Sequence, residues 1–211
     1  MEKEYLSKYE IVHSDSIEFM GFVLYRIRAL KDFSNINIGD LGGYISSYEN
    51  LSQYGDAWVY DNARVYDNAR VCDNARVYDN ARVYGDAQVC DNARVYDNAR
   101  VYGDARVYGD AQVYDNAQLY GDAQVYGDAR VCGDAQLCRQ IDILTVVDVG
   151  SERGCLTIYK DSKIGVRVTR GCFSGSVDEF LDAVNSTHGD NMYGKIYRAL
   201  VYVSRVQLGL V

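Results

Sequence analysis

Between residues 59 and 136 one hexapeptide, (V/L)-(Y/C)-(D/G)-(N/D)-A-(R/Q), runs thirteen times without an insertion. No other property of the chain restricts its fold as much. Val or Leu returns at every sixth position, from Val59, Val65 and Val71 to Leu119 and Leu137, and alanine follows four places later, from Ala63 to Ala135. Six residues are too few for a helical repeat, and a unit of that size buries its apolar face only against its neighbours. The repeat therefore predicts a solenoid.

Within a hexad the residue types sort themselves by position. In Arg64-Val65-Tyr66 the two-residue pleat sends valine inward and both neighbours outward. The next two residues are Asp-Asn or Gly-Asp, as in Asp67-Asn68 and Gly85-Asp86. These types accept positive φ at low cost and are read as the corner. Alanine then points inward where the wall bends. Three straight segments and three corners close a triangle of 18 residues. A flattened coil of two hexads keeps the same inward pattern and stacks residues 12 apart, so both periods stand at this stage.

An aliphatic residue followed four places later by a small one resembles the hexapeptide motif of left-handed parallel β-helices. Val59-Tyr60-Asp61-Asn62-Ala63-Arg64 matches at the aliphatic and small positions. It departs at the second, where the family favours Gly or a small polar residue and this chain places Tyr or Cys. The resemblance implies a mainly β chain: a left-handed parallel β-helix of triangular section over 53–140, a small N-terminal β cap over 1–52 and a C-terminal α+β module over 141–211. Handedness comes from the resemblance alone. Segments 24–33, 39–44, 50–59, 171–180 and 187–190 are similar to a narrower group of bacterial and phage hexapeptide proteins, some of which carry a transferase label.

The flanks read as ordinary elements. Segments 9–12, 16–19 and 22–27 are β-branched and aromatic, with Met20-Gly21 as a hairpin turn. An open solenoid end exposes unpaired backbone, so this piece is expected to cap the first coil. Beyond residue 140 the hexad is lost. Segments 141–149, 155–159 and 164–168 read as strands, and Ser176-Val177-Asp178-Glu179 forms a capping box opening a helix, with a second helix from about 191 to 207. The chain has no apolar run long enough to span a membrane and no signal pattern near Met1, so a cytoplasmic site is the expectation. Cys72, Cys90, Cys132, Cys138, Cys155 and Cys172 form no C-x-x-C pair. The first four continue the tyrosine position of the hexad and are read as small thiols in its place.

By the same resemblance, acyltransferases of this fold use a histidine near the coil surface as general base, and γ-type carbonic anhydrases bind zinc through three. This chain has two histidines, His13 and His188, both outside the repeats, so a three-histidine zinc site within one chain is excluded by count. No hexad is interrupted by the loop that flanks the acyltransferase active site. No metal and no cofactor are expected, and a hexapeptide acyltransferase-like enzyme is kept as the alternative reading. The best catalytic constellation is Cys172 with His188 and Asp190 or Asn191: a thiol, an imidazole and an orienting group, if the fold joins them. The competing reading makes 171–175 a strand end and turn and His188-Gly189 the close of a helix.

With an 18-residue coil, one wall carries Arg64, Arg82 and Arg100 beside Tyr66, Tyr84, Tyr102 and Tyr120. A second carries Trp58, Arg76, Arg94 and Arg130 beside Tyr60, Tyr78, Tyr96 and Tyr114, and the third is interrupted by Cys72 and Cys90. Tyrosine with arginine is what a protein-binding or nucleotide-binding surface uses. A net charge of −8, with one Asp at each corner, disfavours duplex nucleic acid. The expected function is that of a non-enzymatic binding or scaffolding β-solenoid, homo-oligomeric, with Arg64, Tyr66, Arg82, Tyr84, Arg100, Tyr102 and Tyr120 as contact residues. The expected setting is a phage or prophage accessory protein that blocks a host protein or sequesters a small anionic host ligand such as a nucleotide signal.

Overall fold

The repeats form two-residue strands from Trp58–Val59 to Gln136–Leu137, and each of these up to Gln118–Leu119 pairs in parallel with the one 18 residues further on. Arg64 lies opposite Arg82 and Val65 opposite Val83; Arg94 lies opposite Gln112 and Val95 opposite Val113. In this computed structural model, which describes residues 7–211, the strands fall into three parallel walls. The coil is therefore the 18-residue triangle, and the flattened 12-residue alternative is excluded. Residues 1–6 of the expected cap lie outside the described residues.

The inward residues form one continuous core. Every repeat Val, Leu and Ala from Ala57 to Leu137 is essentially without solvent exposure. Full burial of a valine side chain is worth roughly 1.5–3 kcal/mol, and the alanines leave room for the bend. The backbone is satisfied between coils: Arg64 N–H donates to the Ala81 carbonyl at 2.9 Å and Tyr66 N–H to the Val83 carbonyl at 3.1 Å. The same pair of bonds recurs wall by wall up to Tyr120 N–H and the Leu137 carbonyl.

Corners take positive φ as the residue types imply. Asp61, Asp67, Asp73, Asp79, Asp91, Asp97 and Asp115 lie at φ of 49–61°, and the alternative corners begin with Gly at the same place. The aspartates also act between coils. The Asp91 carboxylate accepts the Gly109 N–H at 2.9 Å, and the Asp115 carboxylate accepts the Gly133 N–H at 2.9 Å. Beside them, Asn92 donates its side-chain amide to Asp110 at 3.0 Å.

Strands β1 (Tyr9–Phe19) and β2 (Phe22–Ala29) form the expected hairpin, turning at Met20 and Gly21 with positive φ at both. Strand β3 (Leu41–Ile45) then pairs antiparallel with β2 and in parallel with Arg64–Val65. The N-terminal segment thus extends the first wall instead of merely covering its end. It also seals the outer face of Trp58, which packs edge-on against Tyr9 and Phe33.

The C-terminal module is a four-stranded antiparallel meander, Ile143–Val149, Gly154–Asp161, Gly165–Arg170 and Phe173–Ser176, followed by helices α1 (Val177–His188) and α2 (Met192–Gln207). Helix α1 opens on the expected capping box, Ser176 with Glu179. The fourth strand, Phe173–Ser176, occupies most of the 171–175 stretch whose sequence also reads as a strand end and turn. Leu156, Ile158 and Val168 face the helices and pack with Phe180, Val184 and Tyr197. The alternate residues face the coil.

One cysteine reading is corrected. Cys72 and Cys90 are bonded to each other across adjacent coils, with Cα atoms 4.8 Å apart, and are not two lone thiols in place of tyrosine. Residues 18 apart on a parallel wall stand at the inter-strand spacing, which lies within disulfide reach. Cys132, Cys138, Cys155 and Cys172 are free.

Candidate functional site

The tyrosines on the walls form columns of parallel rings. On the first wall Tyr66, Tyr84, Tyr102 and Tyr120 stack with centroids 5.0, 4.9 and 5.3 Å apart and ring planes within 9°. On the second, Tyr78, Tyr96 and Tyr114 stack at 4.7 and 4.9 Å, whereas Tyr60 meets Tyr78 edge-on. On the third, Tyr108 and Tyr126 stack at 5.6 Å above the disulfide-bonded pair in sequence. The strand spacing sets this repeat, and offset stacking of aromatic rings is favourable at that distance. Burial pushes the phenols of Tyr66 and Tyr96 up to about 12 and raises those of Tyr84 and Tyr102.

The predicted contact residues divide into two groups. Phe19 and Phe22 of the hairpin pack on Tyr66 at 5.8 and 5.2 Å, leaving it 2% exposed. The guanidinium of Arg64 lies 4.1 Å and that of Arg82 5.0 Å from the Phe19 ring. Arg64, Tyr66 and much of Arg82 are thus occupied by the chain's own hairpin and are not open to a partner. Arg100 is exposed, and Tyr84, Tyr102 and Tyr120 keep one edge in solvent. On the second wall a hollow of about 220 Å³ is bordered by Asn35, Tyr60, Arg76, Tyr78 and Arg94.

The C-terminal constellation is only partly assembled. Cys172 sits exposed in the turn before Phe173, and His188, at the end of α1, rests against Tyr193 and Tyr197. Both border one hollow of about 440 Å³. Asp190 does not join them: its side chain is almost fully exposed and pairs with Arg198 at 3.1 Å. Among the described residues no hydrogen bond joins Cys172 to His188, so there is no relay from carboxylate to imidazole to thiol. Cys72, Asp73 and Cys90 bring ligand atoms within 4.8 Å of one another, but the two sulfurs are spent on each other.

The C-terminal module caps the last coil, through side chains that sequence reasoning did not single out. The coil's open backbone groups are met by side chains on the coil-facing side of Gly154–Asp161 and the next strand. Arg130 N–H donates to Thr157 Oγ1 at 3.4 Å, Cys132 N–H to the Tyr159 hydroxyl at 2.9 Å and Asp134 N–H to Asp161 Oδ2 at 3.3 Å. Thr169 Oγ1 donates back to the Arg130 carbonyl at 2.8 Å. The signal available was the period-2 polar set Thr157, Tyr159, Asp161 in a strand otherwise apolar at Leu156 and Ile158. Further along, Asp142 accepts from Lys160 Nζ at 2.8 Å, from Arg139 at 3.1 Å, and from the backbone of Cys138 and Arg139. Burial alone would raise that carboxyl; these donors reverse the effect and hold it at about 2.

No curated protein matches the chain at a significant level. The family described as YdcK Beta solenoid repeat matches at residues 57–73, 63–78, 69–85, 75–91, 87–101, 99–115 and 123–139, all within the coiled region. Those matches and the three-walled coil together make this chain a β-solenoid repeat protein whose repeats are similar to those of the YdcK type.

Proposed function

We propose that the protein is a non-enzymatic binding scaffold, and that the open part of its first wall, Tyr84, Tyr102 and Tyr120 with Arg100, is the face that receives a partner. The observation that supports this is the hairpin on the same wall. Phe19 and Phe22 dock on Tyr66, and Arg64 and Arg82 stack over Phe19, so the column already holds one aromatic-bearing β element. The next rungs repeat the tyrosine at 102 and 120 and the arginine at 100, with Gln118 at the following arginine position, and they accept an aromatic-bearing segment of a second chain in the same way. That second chain is another copy of this protein or a host protein, and the resemblance of the flanks to bacterial and phage proteins supports the reading of a phage or prophage accessory factor that blocks a host protein.

Native mass spectrometry of the gently isolated protein, wild type and Tyr102→Glu/Tyr120→Glu, tests the reading. A second copy or a stoichiometric foreign subunit that is present in the wild type and lost in the variant supports it. A partner retained by the variant, or a wild-type chain that is monomeric and alone, overturns it.

A further inference from the structure

The seal between the last coil and the C-terminal sheet runs in register. Residues 130, 132 and 134 meet Thr157, Tyr159 and Asp161, each step being two residues on both sides. One step further the same register sets Cys155 toward Asp128, and there the seal stops. No hydrogen bond joins those two among the described residues, and a hollow of about 280 Å³ opens instead, bordered by Asp128, Arg130, Gly154, Cys155, Arg170 and Gly171.

Two guanidinium groups face this hollow, and neither is paired with a carboxylate among the described residues. Arg130 spends one N–H on the Gly171 carbonyl at 2.8 Å, and Arg170 spends one on the Val149 carbonyl at 3.1 Å. The Nε of Arg170 is buried and has no partner. A buried donor left unmade costs about 1–3 kcal/mol, and more when it is charged. The guanidinium is held there by shape: it lies flat on Gly154, where a Cβ would come within 2.6 Å of it. Burial raises the Cys155 thiol, which keeps its proton and is a further weak donor at the wall. The wall thus carries two positive charges and one negative one, from Asp128, in a chain of net charge −8.

We propose that this hollow is a binding site for a small carboxylic acid that also carries a hydroxyl or amino group. Two positive charges with one negative one match a hydroxy-acid monoanion, or a zwitterion whose ammonium meets Asp128, better than a dianion. A planar guanidinium with free N–H groups takes a carboxylate in two parallel hydrogen bonds. Asp128, an acceptor at the same wall, then takes the hydroxyl or ammonium of the same molecule. Thr157 and Thr169 are already engaged with the Arg130 backbone and serve as fixed wall.

Isothermal titration of the full chain with lactate, serine, propionate and inorganic phosphate is the test. Lactate or serine is expected to bind, propionate, which lacks the second group, to bind more weakly, and phosphate to bind no more tightly than lactate. Arg130→Gln, whose side chain is exposed and holds only a turn carbonyl, is expected to weaken lactate binding about tenfold or more. Arg170→Lys, which keeps the charge but not the fork, gives the same loss if the first variant does not fold. Asp128→Asn should erase the preference for lactate over propionate. Absence of binding by every carboxylate, tighter binding of phosphate than of lactate, or binding indifferent to both arginine substitutions would each overturn the assignment.

Discussion

At the scale of single residues, the corner aspartates carry two duties that pull in different directions. A non-glycine residue at φ near 58° is strained, yet the Asp91 carboxylate ties the next coil through the Gly109 N–H. Asp91→Ala keeps the strain and loses the tie, and is expected to lower stability by about 1–2 kcal/mol. Asp91→Gly loses the tie but relieves the strain, and should cost less than about 1 kcal/mol. Urea midpoints at unchanged slope measure both. Which residues take the corner was legible in the hexad, because Asp and Gly share one conformational property. That the carboxylate would reach the coil above was not, because the reach depends on the 18-residue period, which the motif alone left open against 12. The Cys72–Cys90 bond was hidden by the same ambiguity. It closes a loop of sequence separation 18, for which the chain-entropy model gives about 3 kcal/mol. Cys72→Ser/Cys90→Ser is expected to lose up to that amount, and dithiothreitol should bring the wild-type urea midpoint down to that of the variant.

Among the elements, the two ends were read unequally. Hairpin, capping box and both helices were visible as local patterns, but what the hairpin lies against was not. Tyr66 and Tyr102 occupy equivalent places in the hexad, and nothing in their own segments says that Phe19 and Phe22 cover the first and leave the second open. Contact residues inferred from outward direction alone therefore included Arg64 and Tyr66, which the chain uses on itself. At the other end the junction depends on Asp142, and its low pKa ties stability to acid. The carboxyl sits at about 2 in the folded chain, below the ordinary value of 3.8, so its contribution is complete above about pH 4. It falls away as pH drops from there through 2, when the folded state loses the charge that Lys160 and Arg139 hold. Asp142→Asn is expected to cost about 1–2 kcal/mol at pH 7, allowing for solvent around the two cations. The gap between variant and wild type should narrow steadily below pH 4 in a series of urea titrations.

Taken whole, the molecule is a stack whose rungs are nearly identical, and this makes length and direction separately adjustable. Removing residues 91–108 takes out one full turn. The hairpin, the Cys72–Cys90 bond and the C-terminal junction keep their mutual bearing, and the protein is only shorter by one strand spacing, about 4.8 Å. Removing residues 91–96 takes out a third of a turn, and the C-terminal module, still seated on the same final strands, swings by about 120° about the axis relative to the hairpin. Fluorescence energy transfer between labels on β2 and α2 distinguishes the two: near the parent value for the 18-residue deletion, clearly displaced for the six-residue one, with cooperative unfolding kept in both. The chain thereby behaves as an indexed shaft. Duplication or loss of repeats in multiples of three alters how far apart its two ends stand, and any other number alters which way they point.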